Sequence, residues 1–250
     1  MPESDQPVLI LGGTAEASRL AARLVEKNYS VISSLAGRTK DPVLPKGEVR
    51  IGGFGGVEGL SDYLIRKLVS VLVDATHPFA TQISANANAA AAATGIPLVR
   101  LDRPAWMPEQ GDHWTTVETL EAAAAAIPDG ARVLLALGRQ HIAPFARRND
   151  VHFVVRMIDP PEVPLTLADY ELELAKPGSV TDETTFLEER RITCVVCRNS
   201  GGTASHAKIE AARALHLPVI MIGRSRRSSA NIVPDVDSAV RFVEEAHPLL

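Results

Sequence analysis

Residues 8–16 read Val8-Leu9-Ile10-Leu11-Gly12-Gly13-Thr14-Ala15-Glu16, an apolar run that leads directly into a glycine turn. Apolar residues then recur at helical spacing and predict a helix over 15–27. Strand, glycine turn and helix in this order are typical of the first unit of a dinucleotide-binding α/β fold, in which the helix N-terminus attracts an anion. The segment predicts anion binding by Gly12, Gly13, Thr14 and Ala15, although an ordinary turn with Thr14 as helix N-cap would use the same residues.

The alternation of short apolar runs and amphipathic stretches continues along the chain. In the first hundred residues it predicts further strands over 29–35, 48–51, 69–75 and 97–101, with helices over 59–68 and 81–94. A stretch containing prolines and tryptophans, 102–114, interrupts the pattern. Beyond it the sequence predicts strands over 132–137, 151–156, 192–198 and 218–222, and helices over 117–126, 143–147, 165–174, 182–189, 205–216 and 235–246.

This order of elements implies right-handed crossovers and parallel sheets. We therefore predict the α/β class, with two Rossmann-like domains that each consist of a parallel sheet flanked by helices. Residues 1–100 are expected to bind the dinucleotide, and residues 101–250 to form a second α/β domain that contributes the substrate-binding wall. Since ligands of such sheets bind beyond the carboxyl ends of the strands, the active site is expected in the cleft between the domains.

Composition and charge argue against several classes of function. A net charge of −4 and an aromatic content of 4% disfavour a nucleic-acid partner, which would require a basic surface and stacking side chains. There is no secretory-signal pattern and no apolar run long enough to span a bilayer, so a cytoplasmic protein without a membrane partner is expected. Cys194 and Cys197 have C-x-x-C spacing but lie in an apolar strand, which predicts core residues rather than a redox pair.

The loop predicted after the second strand, residues 33–40, bears on the choice of cofactor. An enzyme that uses NAD would usually carry an acidic residue here to bind the ribose hydroxyls, and this stretch contains none. Arg38 and Thr39 are instead suited to hold a 2′-phosphate. NADPH is therefore the predicted cofactor, the alternative being that Arg38 is a solvated surface charge.

Two further loops of the first half carry candidate ligand contacts. Residues 50–56, Arg-Ile-Gly-Gly-Phe-Gly-Gly, have four glycines in five positions, so Gly53, Phe54 and Gly55 either contact the cofactor or form only a sharp connection. The segment Asp74-Ala75-Thr76-His77-Pro78-Phe79 ends a buried strand and brings Thr76 and His77 to its carboxyl end. His77 is a candidate ligand contact, and a structural role explains a lone histidine equally well.

Strand ends in the second half are rich in arginine, serine and glycine, as is typical of anion-binding walls. Gly138 and Arg139 follow one predicted strand, and Arg198, Ser200, Gly201 and Gly202 follow another. With Arg103 and Lys208 they form the predicted substrate-binding set, to which Arg100, Arg156 and Lys176 add charge. A substrate with several carboxylates would account for so many cations, although about half of them are expected to be ordinary surface charges.

Taken together, the motifs resemble the precorrin-6A reductase family of cobalamin biosynthesis. The resemblance extends from about Val8 to Gly223 and rests on LGGTAEA, RIGGFGG, DATHPFATQISANA, RPAW, GR, SGG and AKIEAARALHLPV. It implies an NADPH-dependent reduction of one double bond of precorrin-6A, a tetrapyrrole with acetate and propionate arms, to give precorrin-6B. It also implies cofactor contacts by Gly12, Gly13, Thr14, Ala15 and Arg38, a place beside the nicotinamide for His77, and second-domain motif positions for Arg139, Ser200, Gly201, Gly202 and Lys208. Two positions depart from the family pattern: Arg198 replaces an expected lysine, and Arg224-Ser225 replaces a common Arg-Pro.

The predicted reaction is hydride transfer from NADPH to the macrocycle, with protonation of the neighbouring carbon by His77, by Asp74 or by water. The sequence has no metal-binding motif, nucleophile elbow or carboxylate dyad, so neither metal nor covalent catalysis is predicted. Three alternatives stay open. They are reduction of the cobalt-containing substrate of the anaerobic pathway, a non-catalytic NADP(H)-binding sensor, and a nucleotide-sugar transferase.

Overall fold

The computed structural model describes residues 6–37, 43–203, 205–224 and 231–249. Its first elements are β1 (Val8–Leu11), α1 (Ala15–Glu26), β2 (Val31–Leu35), β3 (Glu48–Ile51), α2 (Val57–Arg66), β4 (Val71–Asp74), α3 (Thr81–Thr94) and β5 (Leu98–Leu101). They are followed by β6 (His113–Val117), α4 (Leu120–Ala125), β7 (Arg132–Ala136), β8 (His152–Met157), β9 (Tyr170–Leu174), α5 (Val180–Glu189), β10 (Cys194–Arg198), α6 (Ala207–Ala214) and β11 (Pro218–Ile222). Short 3₁₀ helices, Arg139–His141 and Ala143–Arg147, lie between β7 and β8, and the last elements are β12 (Ile232–Val233) and α7 (Val236–Ala246).

Helix α1 illustrates how local sequence produces these elements. Thr14 caps its N-terminus by accepting a hydrogen bond from the Ala17 N–H. Ala17, Leu20, Ala21 and Leu24 recur every three or four residues and are all buried, which gives the helix one apolar face toward the sheet. Among the helices in the described part of the chain, none is long and apolar enough to cross a membrane.

The chain forms two compact units, Met1–Pro104 with Arg227–Leu250, and Ala105–Arg226. Among the described residues, each unit contains one six-stranded sheet, with the order β12-β5-β4-β1-β2-β3 in the first and β6-β11-β10-β7-β8-β9 in the second. Every strand pairing in both sheets is parallel. The predicted α/β class, with two parallel sheets flanked by helices, is confirmed.

The strand order reverses once in each sheet, between β1 and β4 in the first and between β7 and β10 in the second. Open parallel sheets bind their ligands beyond the carboxyl ends of the strands at such a reversal. The loops that follow these four strands contain residues 12–14, 75–77, 138–139 and 199–202. The topology therefore brings the glycine turn and His77 to one reversal, and the two anion-binding motifs of the second half to the other.

The C-terminal segment belongs to the first unit, so the prediction that assigned all of 101–250 to the second domain is wrong for this part of the chain. Strand β12 pairs with β5, and the buried face of α7 joins the core that contains α1. This pairing covers an edge that β5 would otherwise leave open, and β6 takes the equivalent edge of the second sheet. A strand of two residues leaves no periodic pattern in the sequence. The return of the chain to the first sheet at β12 was therefore not predicted.

The helix predicted over 165–174 is also wrong, since Tyr170–Leu174 forms the edge strand β9. The residues Tyr-Glu-Leu-Glu-Leu alternate with the period of a strand, and Glu171 and Glu173 on one face both accept hydrogen bonds from Arg190. Strand β6 was not predicted either. Its sequence is mostly polar, and its pairing with β11 defines it.

Cys194 and Cys197 are buried free thiols in β10. Burial raises the pKa of Cys194 to about 12 and also raises the pKa of Cys197, so neither side chain forms a thiolate near neutral pH. The prediction that both cysteines are core residues is confirmed.

Candidate active site

The loops that follow β1 and β4 are joined through the side chain of Thr14. Leu11 lies opposite Asp74 at the ends of these strands. Just beyond them, Thr14 Oγ1 donates a hydrogen bond to the carbonyl oxygen of Ala75 over 2.8 Å and accepts one from the Ala17 N–H over 3.1 Å. The hydroxyl therefore has a structural role, because it fixes the glycine turn against the loop that carries Thr76 and His77.

The glycine turn leaves open space where a phosphate would lie. Gly13 has a φ of 99°, in the left-handed region that disfavours other residues, and a Cβ placed on it would meet no atom within 4 Å. The N–H groups of Ala15 and Glu16 belong to the first turn of α1, where no carbonyl of the helix can accept them. Open backbone at a helix start fits the diphosphate of a dinucleotide.

Glu16 adds a negative charge at this turn, and two arginines compensate for it. Arg19 Nη2 lies 3.1 Å from Glu16 Oε1, and Arg103 Nη1 lies 2.6 Å from Glu16 Oε2. Arg103, predicted to bind substrate as part of the second domain, thus belongs to the first unit and lies beside the glycine turn. The two ion pairs keep this end of α1 compatible with a bound anion.

A buried polar network supports the loop after β4. Arg100 Nη1 donates to Asp74 Oδ2 over 2.5 Å and to Ser84 Oγ over 2.6 Å. Asp74 Oδ1 accepts from the N–H of Thr76 over 3.1 Å and from its hydroxyl over 2.6 Å. The Asp74 and Arg100 side chains are each only 2% exposed. These contacts argue against Asp74 as a proton donor to a ligand and give both Asp74 and the Thr76 hydroxyl a supporting role.

His77 lies half-buried in the same loop with a fixed ring orientation. Its Nδ1 accepts a hydrogen bond from the Phe79 N–H over 3.3 Å, and its carbonyl oxygen accepts one from the Ala80 N–H over 2.7 Å. Because Nδ1 is the acceptor, the neutral imidazole carries its proton on Nε2. The loop therefore defines which ring nitrogen of His77 can donate a proton.

The glycine-rich loop at 52–56 follows β3, on the far side of β2 from the reversal. Gly53 and Gly55 are exposed, whereas Phe54 is half-buried and packs edge-on against Tyr63 at 5.2 Å between ring centroids. Arg38 and Thr39, the predicted contacts of the 2′-phosphate, lie outside the described residues.

In the second unit, the loop after β10 is held by Trp106. The Asn199 side chain accepts from the Trp106 N–H over 2.8 Å and donates to the Trp106 carbonyl over 2.9 Å. The Trp106 indole also donates to the Gly202 carbonyl over 2.7 Å. Three bonds between one tryptophan and residues 199–202 fix the backbone in which Ser200, Gly201 and Gly202 lie. Across the reversal, Gly138, with a φ of 77°, precedes a 3₁₀ turn that begins at Arg139.

The cations predicted to form one substrate-binding wall separate into buried and accessible groups. Arg156 and Glu183 form a buried ion pair in which Nη1 lies 2.7 Å from both carboxylate oxygens, much as Arg100 pairs with Asp74. Lys208 is only 4% exposed and donates to the Ser205 carbonyl over 2.6 Å, so it does not offer its ammonium to a ligand as predicted. Arg198 and Ser200 are half-buried, and Lys176 is exposed.

Comparisons with known proteins identify the family. The family model described as Precorrin-6x reductase CbiJ/CobK matches residues 7–244. The chain belongs to this family. It is 46% identical over 240 residues to the precorrin-6A reductase of Rhodobacter capsulatus, covering 95% of this chain and 96% of that protein. It is 32% identical to the cobalt-precorrin-6A reductase of Priestia megaterium, covering 88% of this chain and 91% of that protein. A solved structure of CobK precorrin-6A reductase superimposes with a TM-score of 0.93 at 45% identity, covering 96% of this chain and 97% of that one.

Three residues of this precorrin-6x reductase family member were missed as functional candidates from sequence. Asn199 and Trp106 lie within motifs that were recognised, SGG with its preceding residues and RPAW, but only their mutual hydrogen bonds reveal what they do. Arg50 begins the glycine-rich segment, and its contacts with that loop are described below. In each case the partner is distant in sequence or the bond is to backbone, so residue type alone carried no signal.

The buried ammonium of Lys208 predicts a measurable pH dependence of stability. Its burial lowers the pKa from the ordinary value of 10.5, because desolvation penalises the charged form. The unfolded chain therefore holds this proton to higher pH than the folded protein does, and folding stability gains as the pH rises from the folded-state pKa toward 10.5. Lys208→Met is expected to abolish that gain.

The measurement is the free energy of unfolding in urea at several pH values between neutrality and pH 10.5 for wild type and variant. Lys176→Met, which removes an exposed lysine, is the matched control and should follow the wild-type curve. If the free energy of unfolding varies with pH in the same way for wild type and Lys208→Met, the lowered pKa of Lys208 is contradicted.

Proposed function

We propose that this chain reduces precorrin-6A to precorrin-6B in cobalamin biosynthesis, with NADPH as the reductant. The observation that carries the proposal is the open glycine turn at the β1–β4 reversal, in a chain that belongs to the precorrin-6x reductase family. The first unit is the NADPH-binding unit, and the second binds the substrate. Bound NADPH supplies the hydride for the double bond.

The residues suited to hold NADPH are those of the glycine turn and the loop after β2. Gly13, Thr14 and Ala15 offer backbone N–H groups to the diphosphate, and Gly13 leaves open space beside it. Gly12, whose N–H donates to the Ser34 carbonyl, shapes the start of the turn. Arg38 and Thr39 hold the 2′-phosphate and select NADPH over NADH. The ion pairs of Glu16 with Arg19 and Arg103 keep a carboxylate from opposing the bound phosphates.

His77 donates the proton that completes the reduction. Its Nε2 carries the proton because Nδ1 accepts from Phe79, and the Asp74–Arg100 pair holds the loop in place from below. A water molecule is the alternative donor. In the second unit, Arg139, Arg198 and the backbone of residues 200–202 bind the carboxylate arms of the tetrapyrrole, with Trp106 and Asn199 holding that loop in shape.

Metal-free precorrin-6A is favoured over its cobalt form by the degree of similarity. The precorrin-6A reductases of Rhodobacter capsulatus and Rhodococcus erythropolis are 46% and 47% identical to this chain, whereas the cobalt-precorrin-6A reductase of Priestia megaterium is 32% identical. A non-catalytic NADP(H) sensor would have no use for the arginine- and glycine-rich loops of the second unit.

Cofactor titration tests the proposed use of NADPH. The wild type is expected to bind NADPH much more tightly than NADH, by about 10–100-fold, and Arg38→Ala is expected to lose most of this preference because the 2′-phosphate loses a charged partner. Arg66→Ala, an exposed arginine on α2, serves as the control for the lost charge. Equal affinity of the wild type for both cofactors would contradict the 2′-phosphate assignment.

Anaerobic turnover tests the proposed reduction of precorrin-6A. Precorrin-6A and its cobalt form are supplied separately with NADPH, and oxidation of the cofactor is followed together with the spectrum of the macrocycle. Faster turnover of the metal-free substrate is expected. Binding of NADPH without reduction of either substrate would favour the sensor instead.

A further inference from the structure

Arg50 holds the glycine-rich loop by its backbone. Its Nη1 donates to the Gly52 carbonyl and its Nη2 to the Gly53 carbonyl, each over 2.6 Å. Nη1 also lies 3.1 Å from Ser34 Oγ on the neighbouring strand β2. The guanidinium carbon lies 3.8 Å from the centroid of the Phe54 ring, a distance at which a cation is attracted to an aromatic face.

These bonds determine which way the peptide N–H groups of the loop point. In a trans peptide the N–H is directed opposite to the C=O of the preceding residue. The carbonyls of Gly52 and Gly53 both point to the guanidinium, so the N–H groups of Gly53 and Phe54 point away from it. Within the described residues, neither N–H has a protein acceptor. Two adjacent N–H groups without a protein acceptor are free to donate to an anion.

The loop needs such a support because its backbone is intrinsically mobile. Gly52, Gly55 and Gly56 have φ values of 119°, 81° and 101°, which only glycine adopts readily. At its far end the loop meets α2 closely, since a Cβ on Gly59 would lie 1.8 Å from the Phe54 carbonyl oxygen. Arg50 at one end and Gly59 at the other therefore hold a segment that would otherwise sample many conformations.

The charge of Arg50 is also uncompensated. None of the carboxylates in the described part of the chain forms an ion pair with it, and its bonds are to carbonyl and hydroxyl oxygens. The loop after β3 emerges next to the carboxyl end of β2, because the two strands are adjacent and parallel, with Ser34 opposite Arg50. A positive charge and two outward N–H groups thus lie at the strand end next to that of β2, the strand that precedes Arg38 in the sequence.

We propose that Arg50 is a positioning residue for cofactor selection. It turns the carbonyls of Gly52 and Gly53 inward, so that the N–H groups of Gly53 and Phe54 receive the phosphate monoester on the 2′ position of the cofactor ribose. The inference rests on the proposed use of NADPH and adds a determinant of selectivity separate from Arg38.

The test compares NADPH and NADH affinities of the full chain without substrate, for wild type, Arg50→Met and Arg50→Lys. Arg50→Met is expected to weaken NADPH binding about 30-fold and to leave NADH binding nearly unchanged. Arg50→Lys should fall between, because an ammonium keeps the charge but cannot hold two carbonyls in a fixed fork. Arg66→Met, on the exposed face of α2, is the matched control and should bind both cofactors as the wild type does.

Hydrogen exchange of the cofactor-free protein supplies a second readout. Amides of residues 52–56 should exchange faster in Arg50→Met than in the wild type, and those of α1 should not change. Equal losses of NADPH and NADH affinity in both Arg50 variants would overturn the proposal, since Arg50 would then only maintain the loop. Unchanged NADPH selectivity would overturn it as well. If Arg50→Met does not fold, Arg50→Lys decides the question by the same ratio of affinities.

A wild-type protein that binds neither cofactor, or prefers NADH, would instead refute the proposed NADPH dependence, and the inference would fail with it. A wild type that selects NADPH while the Arg50 variants keep that selectivity refutes the inference alone.

Discussion

Asp74→Ala is expected to lower the free energy of unfolding by about 3–5 kcal/mol, a large part of the stability of an ordinary domain. The substitution removes the nearer carboxylate from the guanidinium of Arg100, which is 2% exposed, and leaves it only Asp102, whose Oδ2 lies 3.5 Å from Arg100 Nε. It also removes the acceptor of the Thr76 hydroxyl and N–H. Removing the nearer carboxylate from a buried arginine is one of the few single changes that destabilise a protein to this extent.

Urea unfolding of wild type and variant measures the effect. Asp237→Ala, which breaks the exposed ion pair with Arg23, is the control and should change stability by less than about 1 kcal/mol. The double variant Asp74→Leu/Arg100→Met should recover most of the loss, because it removes both charges instead of one. A loss below about 1 kcal/mol for Asp74→Ala would mean that water or another group compensates the Arg100 charge.

His77→Ala is expected to reduce kcat for precorrin-6A by about 10²–10⁴-fold, the usual contribution of a positioned general acid. NADPH affinity should change little, since the glycine turn is fixed by Thr14 and not by the imidazole. The effect should therefore appear in the chemical step and not in cofactor binding.

Single-turnover reduction under anaerobic conditions, with NADPH bound in advance, isolates that step. Added imidazole should restore part of the rate in His77→Ala, a response that a purely structural role would not produce. His113→Ala removes an exposed histidine of β6 and should leave the rate unchanged. Full turnover of His77→Ala at saturating substrate would exclude His77 as the acid and leave water as the donor.

The features that could be predicted are those encoded over a few neighbouring residues. The run Val8–Leu11, the turn at Gly12-Gly13 and the periodic apolar residues of α1 specify strand, turn and helix locally, and the structure forms all three. The interpretation of Thr14 as an N-cap also follows from its position before the first helical residue, and it is confirmed. Its second bond, to Ala75, joins two loops that are far apart in sequence and had no local signal.

Electrostatic roles were the least predictable part of the candidate site. Arg100, Arg156 and Lys208 look in the sequence like cations available to a carboxylate-rich substrate, but the structure buries all three. Arg100 and Arg156 pair with Asp74 and Glu183, which lie 26 and 27 residues away. Burial and pairing depend on which elements pack together, so the charge of a residue does not reveal whether a ligand can reach it.

The sequence alone determined the α/β class, the parallel sheets, the glycine turn with its expected anion, and the family, because backbone propensity, apolar period and turn chemistry act over short distances. Only the tertiary structure decided the strand order, the return of β12 and α7 to the first unit, and the separation of reachable cations from buried ones. These depend on contacts between distant segments, where the free energy comes from burying surface and pairing charge. No local pattern records that free energy.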